Sequence, residues 1–167
     1  DWGEIDGGLY LVMDVVHDAR PLDLTGAAGL GRLARAAHLV GKAHSRGVIH
    51  RDLKPANLLQ GGDGRVWLAD FGLAKLRGET DEAGVPVVAI TVSNVGMGTP
   101  VYMPPEQLDD AKRADERADV YALGVMLFQS LSSGTFPFSG SPVQIAAQQG
   151  SVLRGERPMP PVAAGAP

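Results

Sequence analysis

"VIHRDLKPANLL", residues 48–59, is the stretch on which the reading of this chain turns. Two apolar ends bracket a run holding two basic residues, one carboxylate, one proline and one amide. A segment that only builds a core rarely places such groups side by side. Two readings compete: a solvated turn between two strands, or a set of groups assembled around a reacting atom. In an extended segment Asp52 and Lys54 project to the same side. Pro55 holds its own φ and biases Lys54 toward extended geometry. Asn57 follows, and beyond a further strand comes "DFG" at Asp70, Phe71 and Gly72. The Asp70 carboxylate leaves the strand where the backbone turns, and Gly72 permits that turn.

This set matches what phosphoryl transfer asks of a protein. That reaction needs a carboxylate to orient the attacking hydroxyl, a cation near the migrating group, and oxygen ligands for magnesium. Magnesium takes hard oxygen donors, usually one or two protein groups with phosphate oxygens and water completing its shell. Asp52, Lys54, Asn57 and Asp70 together supply those parts.

The totals leave room for this chemistry and exclude several others. At 167 residues, 44% hydrophobic and 20% charged, the chain suits one soluble globular domain with a sizeable core. A net charge of −4 gives no reason to expect nucleic acid or an anionic membrane as partner. The absence of cysteine excludes a disulfide scaffold and thiolate metal sites and fits a reducing, cytoplasmic setting. Apolar runs such as Tyr121 to Phe128 fall far short of the ~20 residues of a membrane span. The opening residues carry no signal-peptide pattern.

Periodicity places the elements. "GGLYLVMDVV" (7–16) reads as a buried strand after a polar turn over 1–8. Residues 28–46 read as a helix with Leu33, Ala37, Val40 and His44 on one face, stopped by Gly47. "VIH" and "NLLQ" read as short strands, and "GGDG" (61–64) as a turn into the strand "RVWLAD" (65–70). Residues 72–105 form a long loop interrupted by "VPVVAITV". Residues 117–131 are apolar on nearly every side and predict a helix buried at the centre. A weaker helix is expected over 142–149, with Ser141 as cap and Pro142 in its first turn. The closing "RPMPPVAAGAP" is poor in large apolar groups.

H-R-D-L-K-P-x-N followed by D-F-G resembles the signature of eukaryotic-like, bacterial-type Ser/Thr protein kinases. "GTPVYMPPEQ" (98–107) resembles the close of that family's activation loop, with Pro104-Pro105-Glu106 where Ala-Pro-Glu is usual. "RADVYALGVMLF" resembles the central buried helix, and "LYLVMDVV" the strand and hinge beneath the adenine. The resemblance runs over residues 7 to 150, with its motifs in the family's order. It implies an α+β, protein-kinase-like fold: a mainly helical C-lobe with short β-hairpins and almost no N-lobe. Residues 1–16 would end the N-lobe sheet and form the hinge. The C-lobe would occupy 17–157, with the catalytic loop at 48–59, the activation segment at 70–106 and a Pro/Ala-rich tail at 158–167. The family's Gly-rich loop, its phosphate-pairing Lys and the helix Glu would precede residue 1, so the chain reads as truncated at both ends. "VVAIT" (87–91) resembles the V-A-I-K strand only superficially, since Thr91 replaces the lysine.

The resemblance also implies roles. Asp52 would orient the substrate hydroxyl or act as its base, and Lys54 would stabilise the transferring γ-phosphoryl of ATP. Asn57 and Asp70 would ligate Mg2+. Met13 would limit the adenine pocket, the backbone of Asp14 and Val16 would bond the adenine edge, and Leu59 would floor it. Val15 stands where an aromatic is common. His50 and Phe71 would stack in a core column, and Asp119 would accept hydrogen bonds from the catalytic-loop backbone. Arg51 would pair with a phosphate on the activation loop, for which Thr91 and Ser93 are the candidates. Thr99 would contact Asp52 and Lys54. Glu106 would need an arginine from beyond the chain, with Arg154 or Arg157 as chance substitutes. Lys54 and "GTPVYM" favour a Ser/Thr acceptor on a protein substrate. The rival readings are a non-catalytic, pseudokinase-like scaffold and, ranked low, a small-molecule phosphotransferase.

Overall fold

The computed structural model describes residues 2–5, 8–12, 14–71, 100–109 and 114–162. Two antiparallel strands, β1 (Trp2–Ile5) and β2 (Gly8–Leu11), come first. A short edge strand β3 (Arg20–Pro21) leads into helix α1 (Gly26–His44). Strands β4 (Leu58–Gln60) and β5 (Val66–Leu68) follow, then helices α2 (Pro105–Asp109), α3 (Glu116–Leu131) and α4 (Pro142–Leu153). The fold is α+β, mostly helical, with a three-stranded antiparallel sheet in the order β3-β4-β5.

Helix α1 starts and stops two residues earlier than its periodicity predicts. Gly47 adopts a left-handed φ of 72° and donates its N–H to the His44 carbonyl at 2.8 Å, the stop expected of a glycine there. The buried stripe is Gly29, Leu33, Ala36 and Val40, so Ala36 replaces the expected Ala37. The stripe follows the side of α1 that meets α3 and β5. Gly29 is required by close approach: a Cβ there would fall on the backbone carbonyl of Leu24.

Helix α3 is capped by the Asp115 carboxylate, which accepts the Arg117 N–H at 2.9 Å. It buries Ala118, Asp119, Ala122, Val125, Met126 and Ser130. The expectation of burial on nearly every side needs correction, since Val120 is 60% and Leu127 43% exposed. An all-round apolar sequence cannot tell which faces the described elements cover. Helix α4 opens with a capping box: Gln144 N–H donates to Ser141 Oγ and Ser141 N–H to Gln144 Oε1. That box matches the expected cap, and the helix runs one turn further than its pattern suggests.

Two strand expectations fail. The stretch 7–16 is not one buried strand: β2 ends at Leu11, and Val12 and Val15 are exposed. The supposed polar turn over 1–8 contributes β1, whose register pairs Trp2 with Leu11. "VIH" is not a strand either, because the His50 N–H is taken by the Asp119 side chain rather than by a neighbouring strand. By contrast, Leu58–Gln60 and Val66–Leu68 pair around the Gly61–Gly64 turn as expected.

One core cluster gathers Leu22, Leu33, Val40, Leu53, Leu58 and Met126 between α1, α3 and the sheet. A second holds Val101, Val125, Phe138 and Ile145, and Tyr102 packs against both. The loop 48–57 lies where these elements meet.

Candidate active site

The loop is fastened from below by one buried carboxylate. Asp119, 1% exposed, projects from the first turn of α3. Its Oδ2 accepts the His50 N–H at 2.9 Å and its Oδ1 the Arg51 N–H at 2.8 Å. His44, in the last turn of α1, brings its Nε2 within 2.8 Å of the same Oδ2. The buried charge is thus met on both oxygens, as burial of a carboxylate requires. Arg51 sits at φ 65°, a left-handed conformation uncommon for a residue with a Cβ.

His50 is buried and bonded at both ring nitrogens. Its Nε2 lies 2.8 Å from the Ala69 carbonyl, which can only accept, so that nitrogen carries hydrogen. Its Nδ1 accepts a long 3.4 Å contact from the Asp52 N–H. The ring also stands 4.8 Å from the Phe71 ring, tilted by 43°.

Above this base the polar groups converge. Lys54 is held extended at φ −156°, as Pro55 predicts, and its Nζ donates to Asp52 Oδ2 at 2.8 Å. The Asn57 amide donates to the Asp52 carbonyl at 2.8 Å and approaches Asp52 Oδ2 at 3.4 Å. The Asn57 carbonyl in turn accepts the Ala69 N–H at 2.9 Å, which fixes the end of β5 beside the loop. Asp70 follows directly, exposed and left-handed at φ 58°. Asp52, Lys54, Asn57 and the backbone preceding Asp70 are therefore one connected unit. Because Nδ2 of Asn57 is committed to Asp52, its Oδ1 remains as an oxygen donor. That oxygen and the Asp70 carboxylate are hard donors of the kind magnesium takes together with phosphate oxygens and water. Among the described residues no cluster of three or more His, Cys, Asp or Glu could hold a metal without such help.

The remaining expected residues are more scattered. Asp14 is exposed and Val16 half-buried, its Cγ1 close to Gly61, while the His17 carbonyl accepts the Gly62 N–H at 3.1 Å. Leu59 lies in β4 opposite Pro21 and Trp67. Glu106 is exposed, and no described cation pairs with it; Arg154 is bound instead by Glu156 at 2.7 Å. Arg51 Nε is buried without a partner among the described residues. Met13, Gly72, Thr91, Ser93 and Thr99 lie outside the described residues.

Five polar residues escaped the sequence reading. Gln107 donates to the Arg51 carbonyl at 2.6 Å, and Tyr102 donates its hydroxyl to Gln129 at 2.9 Å. Buried Gln149 reaches the Met103 carbonyl at 3.1 Å and the Tyr121 hydroxyl at 2.7 Å. Burial pushes the Tyr121 phenol up to about 12, with Glu106 adding to the rise and the Gln149 hydrogen bond opposing it. Tyr102 is raised by burial too, and Gln129 opposes that shift. Isolated glutamines carry no local pattern, so only the fold could bring them to these carbonyls.

A mainly helical lobe, a small sheet, and a carboxylate–amine–amide loop anchored on a central-helix aspartate define the larger lobe of a protein kinase. Residues 33–156 match the protein kinase domain family. A probable serine/threonine-protein kinase of Corynebacterium efficiens is 36% identical over 96% of this chain and 24% of its own length. Serine/threonine-protein kinase PknL of Mycobacterium tuberculosis is 44% identical over 64% of the chain and 25% of its own. Serine/threonine-protein kinase PknJ of Mycobacterium bovis is 36% identical over 95% and 26%. The chain belongs to the protein kinase domain family, and it spans about a quarter of the length of these relatives.

Proposed function

We propose that the protein carrying this chain is a bacterial-type serine/threonine kinase that transfers the γ-phosphoryl of ATP to a hydroxyl of a protein substrate. The observation that carries this reading is the connected unit of Asp52, Lys54 and Asn57, joined through Ala69 to Asp70. Asp52 orients the acceptor hydroxyl and takes its proton. Lys54, already paired with Asp52, offers its ammonium to the charge that develops on the phosphoryl oxygens. Asn57 and Asp70 would hold magnesium through oxygen, and the metal would supply charge neutralisation on the phosphates.

In this reading residues 1–16 close the N-lobe sheet and form the hinge, residues 17–157 are the C-lobe, and 158–167 is a tail. Met13, the backbone of Asp14 and Val16, and Leu59 border the adenine. Arg51, whose Nε is buried without a described partner, receives a phosphate on Thr91 or Ser93. Thr99 meets Asp52 and Lys54. His50, Phe71, Gly72, Asp119 and Glu106 support the site. Among the described residues no helix is long and apolar enough to cross a membrane. The need for ATP supports a cytoplasmic location for the lobe.

The test is transfer of labelled γ-phosphate from ATP to a protein acceptor by the complete gene product, with magnesium. Wild type should label serine or threonine, and Asp52→Asn should lower the rate by about 10²-fold or more. Equal labelling by both proteins, or labelling only of a small molecule, would overturn the reading.

A further inference from the structure

We propose that Gln107 is a positioning residue for phosphoryl transfer: it locks the backbone of Arg51 from the carbonyl side and thereby sets the direction of Asp52. This rests on the kinase reading of the same site. Arg51 is in the left-handed region at φ 65°, a conformation that persists only when its surroundings over-determine it. Its N–H is held by Asp119 Oδ1 at 2.8 Å, which restrains φ. That bond leaves rotation about ψ free, and ψ of Arg51 decides where the next residue points. The Gln107 amide closes this freedom by donating to the Arg51 carbonyl at 2.6 Å.

The two restraints come from different elements, Asp119 from α3 and Gln107 from α2. Gln107 is itself placed by its own N–H, which donates to the carbonyl of buried Pro104 at 3.0 Å. It shares one small cleft with Arg51, Asp52, Lys54, Tyr102 and Met103. The segment leading into α2 and the residue preceding Asp52 are therefore mechanically joined. If the joint is cut, Arg51 can relax about ψ while Asp119 still holds its N–H. That relaxation carries Asp52 away from Lys54 and weakens the Asp52 N–H contact to His50.

The test uses the complete gene product as wild type, Gln107→Ala and Gln107→Lys. Lysine keeps a donor at similar reach and cannot accept. Gln107→Ala should lower kcat about 10- to 100-fold while the KM for ATP stays within about twofold, as misplacement of a reacting group demands. Gln107→Lys should return kcat to within roughly threefold of wild type. In parallel, amide hydrogen exchange at Arg51, Asp52 and Leu53 should quicken by about tenfold or more in Gln107→Ala. Unchanged exchange there, or unchanged kcat with quickened exchange, overturns the proposal and leaves the kinase reading intact. Loss of kcat in Gln107→Lys as deep as in Gln107→Ala also overturns it. Absence of transfer by wild type overturns the kinase reading, and the positioning role with it.

Discussion

The Asp119 carboxylate receives the backbone N–H of Arg51 at 2.8 Å across 68 residues of sequence, so the first turn of α3 sets the shape of the loop that carries Asp52. With the His50 N–H and His44 Nε2 on its other oxygen, it is the hub between α1, α3 and the loop.

Asp119→Ala should therefore strip partners from His50, Arg51 and His44 at once. Leaving buried donors unpaired around a lost carboxylate costs about 3–5 kcal/mol. Chemical denaturation should register that loss, and Asp119→Asn, which keeps one acceptor oxygen, should lose less. A change below about 1 kcal/mol for alanine would show that the loop holds itself.

On the proposed kinase function, Lys54→Ala should reduce kcat by about 10²-fold in the complete gene product, since it would remove a preorganised charge from the phosphoryl. Lys54→Arg keeps the charge and should lose less. Steady-state assays with saturating ATP separate the two, and an alanine variant as fast as wild type would remove Lys54 from the chemistry.

Stability at high pH should report Tyr121. Its folded pKa is raised to about 12 from an ordinary value of 10.0. Above pH 10 the unfolded chain releases the phenolic proton while the folded one retains it, so stability falls as pH rises. The contribution is fully present below pH 10.0 and is lost as pH climbs through about 12. Tyr121→Phe should flatten the stability profile in that window, and an unchanged slope would contradict the assignment.

Ser141→Ala removes one half of the α4 capping box: the hydroxyl that accepts the Gln144 N–H is lost, while the backbone N–H at 141 can still donate to Gln144 Oε1. The expected cost is about 1 kcal/mol. Thermal unfolding and exchange of the Gln144 and Ile145 amides should both register it.

Met126→Ala tests the junction of α1 and α3. The methionine is 0% exposed and belongs to the cluster with Val40, Leu53 and Leu58. Truncation should cost about 2–5 kcal/mol, depending on how far the neighbours close the cavity.

Local patterns were legible where one chemical rule governs few residues. Pro55 implied the extended Lys54, Gly47 the end of α1, Ser141 the start of α4, and the Gly61–Gly64 turn the β4–β5 hairpin. The Asp52–Lys54 pairing followed from the same-side projection of alternate residues in an extended segment. Where partners are distant, pattern failed. "VIH" has strand composition, yet its Val48 N–H goes to the Ala43 carbonyl and its His50 N–H to a helix carboxylate. Residues 7–16 look buried by hydropathy, but burial needs a second layer, and exposed Val15 has none among the described residues.

Sequence alone determined the chemical inventory: a carboxylate, an amine, an amide and a second carboxylate, spaced along two short extended pieces. It also determined the family, because those residue types at those intervals are rare outside it. The resemblance already set Asp119 beneath the loop, and only tertiary structure decided that His44 and Gln107 join it there. Hydrogen bonds between residues far apart in the chain leave no periodic trace. They come into being when the helices pack, α1 on α3 for His44 and Asp119 and α2 beside the loop for Gln107, and bring donors and acceptors within 3 Å.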